Sequence, residues 1–386
     1  MQFSIIGSLQ EVDINEWNAL CMQTQTEPAY PFTRYEFLIA MERHQAVGEK
    51  YGWFPQYLIA RETNSNKLIA ALPMYLKNNS YGELVFDWSW ADAYQRSGLE
   101  YYPKLVVAIP YTPATGPRIL FAAGIDSHEI QQQMIDTATA YAQQIKVSSL
   151  HWLFTNSTET QTFKQIHHYH LRLGCQFHWK NNQYTSFDDY LSRLTQSKRK
   201  KIKQERRRVR EQGIELEVLH GNEMNQQQWD VYYRFYCDTF DRKSGYATFS
   251  NEFFKEIAQT MPQNIVVVLA KKNNEYIAGA FNIRGDNTLY GRHWGCVDDF
   301  HGLHFEACYY QGLEYCIKHK LEYFEPGAQG EHKISRGFLP TETWSAHWIR
   351  DEQFNIAIQR ALDHELDGMK DYIQELEQRT PFKLEN

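Results

Sequence analysis

The chain has 386 residues, 42% of them hydrophobic and 15% aromatic, and a formal net charge of −7. That length accommodates two domains with substantial cores, and no apolar run is long enough to span a bilayer. Residues 198–210, KRKKIKQERRRVR, carry nine cations and one anion, net +8, so the remainder holds −7 − 8 = −15, which excludes a protein that coats nucleic acid generally and leaves one local basic patch.

Helices are predicted around 14–22 and 34–47, and strands over 56–60, 67–76 and 83–87, with Asn64-Ser65-Asn66 as a turn signal. The segment 86–118 is rich in Trp and Tyr, carries a strand at 105–109 and ends in a loop broken by Pro and Gly. A helix over 127–145 starts at Asp-Ser-His-Glu, a fitting N-cap. A buried strand at 149–155, a helix at 159–171 and a strand at 175–184 complete the first half. The second half opens on a basic helix, 187–212, ended by Gly213. A strand at 214–219, helices near 226–239 and 251–260, and strands at 265–270, 276–284 and 288–294 follow. Next come a helix over 301–319, the strand Leu321–Glu325, a Gly-rich loop to Pro340, a strand at 344–349 and a long amphipathic helix at 352–378. The N-terminus lacks the basic start and apolar core of a signal peptide. The six cysteines form no CxxC pair, so a cytoplasmic, reduced protein without structural zinc is expected.

The halves share an order. RYEFLIAMERH then PQYLIARETNSNKLIAALPMYL parallels NEFFKEIAQTM then QNIVVVLAKKNNEYIAGAFNI, and each half continues strand, helix, strand. This implies an α+β fold with a mixed sheet, duplicated in tandem, with domains at 1–186 and 187–386 and a site in the cleft between them.

Several words sharpen the reading: YLKNNSYGELVFDWSWADAY, GLEYYPKLVVAIPYTPATGPR, LYGRHWG, LHFEACYYQ and FEPGAQGEHKISRGFLP. Over nearly the whole chain these resemble the bacterial GNAT-like N-acyltransferases of peptidoglycan biosynthesis/recognition, relatives of the FemABX-type transferases. The resemblance implies two acyl-CoA N-acyltransferase (GNAT)-like domains and transfer of an acyl or aminoacyl group to an amine, with a peptidoglycan-precursor-like acceptor. Two other functions stay open: a non-catalytic module that recognises such a glycopeptide, and an aminoacyl-tRNA-dependent transferase.

N-acyl transfer needs a base for the amine, a held carbonyl and a protonated leaving group. Helical register turns Glu306 inward beside Leu303, Tyr310, Leu313 and Ile317, and Glu325 ends a strand. Glu306, Glu325, Glu331 and His332 are candidate bases, and Tyr309 or Tyr310 a candidate acid. For Glu306 the alternative is a buried ion pair with Arg292 or His293. Arg292, His293 and Trp294, with Gln329, Glu331, Lys333 and Arg336 of the Gly-rich loop, are candidate substrate contacts. In the first half, Asp87, Trp88, Trp90 and Tyr111 offer an aromatic wall for a sugar, or else a packed interface. Thr115, Gly116 and Arg118 offer an anion loop, although Pro113 and Pro117 remove N–H donors. The matching second-half loop, GCVDDFHGL, carries two aspartates that repel phosphate. Acyl-CoA is a candidate donor. tRNA is a candidate partner through residues 198–210, whose alternative is a solvated helix face. No metal is expected, because His304 and Glu306 point to different helix faces.

Overall fold

The structure is a computed structural model that describes residues 1–23, 30–242, 245–328 and 330–383. Its contacts divide into two units, Met1–Cys175 with Glu342–Asp371, and Gln176–Thr341 with Tyr372–Asn386. The sequence reading draws one boundary, at 186/187. The contacts place the segment Glu342–Asp371 with the first unit.

The first unit runs β1 (Gln2–Ile6), α1 (Ile14–Gln23), α2 (Tyr35–Arg43), β2 (Trp53–Pro55), β3 (Tyr57–Arg61), β4 (Leu68–Leu72), β5 (Met74–Lys77), α3 (Trp88–Arg96), β6 (Lys104–Val107), β7 (Leu120–Phe121), α4 (Ser127–Gln144), β8 (Ser149–Thr155) and α5 (Ser157–Lys164). The strand β9 (His170–Lys180) carries the chain into the second unit. There follow α6 (Phe187–Arg193), α7 (Gln196–Glu211), β10 (Ile214–His220), α8 (Gln226–Arg242), α9 (Asn251–Thr260), β11 (Ile265–Lys272), β12 (Glu275–Arg284), β13 (Thr288–Cys296), α10 (Leu303–Phe305), a π-helical turn Glu306–Tyr310, α11 (Gln311–His319) and β14 (Tyr323–Glu325). The chain ends in β15 (Leu339–Ile349) and α12 (Glu352–Glu377).

The two units repeat one topology. In the first, α1 and α2 separate β1 from β3, which pair antiparallel, and β3 pairs antiparallel with β4. In the second, α8 and α9 separate β10 from β11, with the same antiparallel pairs β10–β11 and β11–β12. Next, β5–β6 and β12–β13 are antiparallel, and a helical crossover leads to a parallel neighbour, β6–β8 and β13–β14. The tandem α+β expectation is met. Parallel neighbours need such crossovers, which accounts for the helices following β6 and β13.

Local chemistry explains the elements. Asp126 caps α4 by accepting from the N–H groups of His128 and Glu129, and Ser250 caps α9 through Phe253. The first core packs Leu58, Ala60, Leu72 and Leu105 against Trp152 and Ala138. In the second, Val268, Ala280 and Ala307 meet between sheet and helix. Burying side chains of this kind contributes roughly 1.5–3 kcal/mol each for the larger ones.

Three expectations need correction. The segment 83–87 is a loop: Leu84 has φ +62°, and Glu83 and Asp87 both turn inward onto Lys104. Strand alternation would have put both on one face with Phe86 on the other, but the left-handed residue breaks the extended run. The predicted helix at 159–171 stops at Lys164, and β9 already begins at His170. The basic segment forms two helices, broken where Leu194 and Thr195 turn extended.

Candidate active site

β13 and β14 pair in parallel only over Thr288–Tyr290 with Tyr323–Glu325. Beyond that point, Gly291 lets the chain after β14 approach closely: a Cβ there would stand 3.1 Å from the Pro326 Cα. A cavity of about 390 Å³ opens at this place, and all its lining comes from the second unit. Arg292, His293 and Trp294 of β13 line it, with Asn282 of β12, His304 of α10, Cys308 and Tyr309 of the π turn, and His332 and Lys333.

Lys333 is 2% exposed, and its Nζ donates to the Gly327 carbonyl oxygen at 2.6 Å. Burial pulls its ammonium down to about 8, against a weaker upward pull from Cys308. The His332 Nε2 lies 2.9 Å from the Tyr309 hydroxyl. Burial, then the charges of Arg336 and Lys333, lower the His332 pKa, which favours a neutral imidazole. Burial also raises the Tyr309 phenol, so that it keeps its proton. His293 sits edge-on to Tyr236 at 4.9 Å. Burial first and Arg292 second hold it well below the ordinary histidine value. The cavity therefore combines a neutral imidazole, a protonated phenol, an amine that titrates near neutrality and the cationic Arg292. Such a set can accept a proton, donate one and hold an oxyanion.

The other candidates from the sequence lie elsewhere. Glu306 is buried, as its register requires. Its carboxylate takes Arg206 Nη2 at 2.8 Å and Gln311 Nε2 at 2.8 Å and does not line the cavity. Its partner is thus Arg206, a residue of the basic helix, in place of Arg292 or His293. Glu325 lies 3.8 Å from the His178 Nε2. Tyr310 is buried, donates to Glu205 and accepts from Arg336 Nε at 2.9 Å. Glu331 is exposed and takes Tyr372 and Arg379, each at 2.9 Å. Gln329 lies outside the described residues.

In the first unit, Asp87 is buried against Lys104 and the Tyr101 hydroxyl. Burial alone would raise its carboxyl, but Lys104 prevails and holds it at about 2. Trp88 is exposed with its ring edge on Tyr81, Trp90 packs on His347, and Tyr111 donates to the Ala46 carbonyl oxygen at 2.8 Å. Thr115 and Gly116 sit where the loop bridges to Thr155 of β8. Arg118 is fully buried, and its guanidinium donates to the carbonyl oxygens of Leu153, Ala114, Phe154 and Pro117. That guanidinium ties the loop to β8 and has no face on solvent.

Cys308 and Asn282 line the cavity without having been singled out from the sequence, and His304 is weighed there only as a metal ligand. The spacing of His304 and Cys308, one helical turn apart, is the signal that could have paired them.

A sequence model of the FemAB-like family, described as peptidoglycan biosynthesis/recognition, matches residues 8–384. The chain belongs to the FemAB-like family. No curated protein matches this FemAB-like sequence significantly. Among solved structures it is similar to FemX, with 10% identity over 93% of this chain and 100% of that one, at a TM-score of 0.55. It is also similar to the C-terminal domain of a proposed lysylphosphatidylglycerol synthetase from Agrobacterium fabrum, with 9% identity over 92% and 96% of the two chains and a TM-score of 0.55. A conserved protein of unknown function from Bacteroides thetaiotaomicron gives 9% identity, 90% and 100% coverage and a TM-score of 0.52. At such identities the likeness is one of fold. No helix among the described residues of the FemAB-like chain is long and apolar enough to cross a membrane.

Proposed function

We propose that this FemAB-like chain is an N-acyltransferase that moves an acyl or aminoacyl group to an amine of a peptidoglycan-precursor-like acceptor, and that transfer takes place in the cavity where β13 and β14 part. The observation that carries this reading is the His332–Tyr309 pair beside the buried Lys333 amine. In the proposed step, the acceptor ammonium gives a proton to the neutral His332, and the amine then attacks the donor carbonyl carbon. Arg292 and Lys333 supply charge to the oxyanion. As the tetrahedral species collapses, the C–N bond stays, the bond from carbon to the departing oxygen or sulfur breaks and Tyr309 protonates the leaving atom; the acylated nitrogen passes its second proton to the Tyr309 oxygen, leaving a neutral amide, and His332 releases its proton to solvent.

The donor reading rests on α7. Along its outer face a depression of about 800 Å³ is lined by Arg199, Lys200, Lys203, Arg207 and Arg210, with Phe187 at its wall. That array suits the phosphates of an aminoacyl-tRNA. Acyl-CoA is the competing donor; with Arg118 spent on four carbonyls, its phosphates would have to find cations elsewhere. The test offers wild-type protein an aminoacyl-tRNA and, separately, an acyl-CoA, with a muropeptide carrying a free amine, and reads the acceptor by mass spectrometry. Mass gain from either donor supports transfer and names the donor. Muropeptide binding without mass gain from either would favour the recognition reading.

A further inference from the structure

Two adjacent residues of α7 form ion pairs with the segments that wall the cavity, and Arg206 also lines the cationic depression. Glu205 is 9% exposed and accepts from Arg336 Nη2 at 2.9 and 3.0 Å, and the Tyr310 hydroxyl donates to it as well. Arg336 in turn donates Nε to the Tyr310 oxygen at 2.9 Å and Nη1 to the His332 carbonyl oxygen at 2.8 Å. Its guanidinium also stacks over the Phe305 ring, 3.6 Å from the centroid. The short helical segment Glu331–Arg336 is therefore held from behind by one buried arginine, and that arginine by Glu205.

Arg206, the next residue, forks in the other direction. It gives Nε and Nη2 to Glu306 at 2.8–3.1 Å, and Nη1 and Nη2 to Glu314 at 2.7 and 3.0 Å. Glu306 opens the π turn that carries Cys308 and Tyr309 into the cavity. A π turn inserts one residue into the helical register and persists where surrounding contacts hold it. Buried ion pairs of this kind add little net stability, because desolvation offsets their attraction. Their effect here is geometric: each fixes one wall of the cavity.

We infer that Glu205 and Arg206 are positioning residues for the transfer site, Glu205 setting the His332–Lys333 segment through Arg336 and Arg206 setting the Cys308–Tyr309 turn through Glu306. The role assigned to them rests on the reading of the cavity as a transferase site, but the test reads side chains directly and needs no turnover. Trace acetylation with acetic anhydride across pH, followed by mass spectrometry, gives the titration midpoint of the Lys333 amine, with the exposed Lys200 as internal reference. The ionisable groups near that amine are Cys308, His332 and His178. Imidazole NMR gives the midpoint of His332.

In Glu205→Gln the guanidinium of Arg336 loses its anion and the segment loosens, admitting water to Nζ. The Lys333 midpoint moves up by about one pH unit or more, toward an ordinary lysine. In Arg206→Lys one ammonium cannot span both carboxylates. The π turn relaxes, and the His332 midpoint moves toward the ordinary histidine value. If Glu205→Gln fails to fold, Tyr310→Phe, which removes the hydroxyl shared by Glu205 and Arg336, moves the Lys333 midpoint in the same direction by less. Unchanged midpoints in the folded variants would overturn the inference. Shifted midpoints in a protein that transfers nothing would retain the positioning geometry and discard the transferase reading.

Discussion

Lys333 concentrates the tension between stability and function. Its ordinary value of 10.5 falls to about 8 on folding. Between these values the unfolded chain binds the extra proton, so stability rises with pH from about 8 to about 10.5, and the cost of the buried charge is fully present below 8. At 1.36 kcal/mol per pH unit that cost is on the order of 3 kcal/mol, offset by about 1 kcal/mol for the hydrogen bond to Gly327. Lys333→Met should therefore raise stability at pH 7 by about 2 kcal/mol in urea unfolding, with the gain vanishing above pH 10, while transfer falls. A variant less stable than wild type at pH 7 would contradict the charge-burial account. Burial of this amine was not legible in the sequence, where Glu331-His332-Lys333 reads as a polar loop. The cause lies in tertiary context, since the segment folds under Arg336, whose anion is 131 residues away.

The elements that build the site were largely readable, and their irregularities were not. IVVVLA, YIAGAFNI and LYGRHWG give β11, β12 and β13 through apolar and aromatic patterning. Helical register also put Glu306 inside. The π turn left no mark in that register, and the partner of Glu306 lies 100 residues away on α7. The loop at 83–87 hid for a like reason, because its inward carboxylates answer to Lys104 on another strand. These placements give Glu306→Gln a clear expectation. Losing one charge from the Arg206 fork should cost about 2 kcal/mol of stability, whereas turnover should fall by about tenfold or less, well short of the 10²–10⁴ of a lost base. Thermal unfolding and single-turnover rates on one preparation decide this. Unchanged stability with a 10³-fold slower reaction would make Glu306 the base.

At the scale of the whole chain, the repeated order of helices and strands disclosed the duplication, because each unit builds its sheet from the same succession of pairings. The candidate bases and acids of the sequence all fall in the second copy. In the first unit the loop 110–118 is tied to β8 through Arg118 and the Gly116–Thr155 bridge; in the second the strands part around a cavity. The cationic depression on α7 makes a further prediction. Affinity for tRNA should fall linearly with log salt, and Arg207→Glu with Arg210→Glu should flatten that slope by about 1–2 while the fold stays intact. Salt-independent binding would remove α7 from the donor site. The most direct test of the central claim is transfer itself, followed by mass spectrometry of the muropeptide amine with wild type and His332→Ala under single-turnover conditions. The account predicts acylated product with wild type and a rate about 10²–10⁴-fold lower with the variant; equal rates in the two proteins would contradict it.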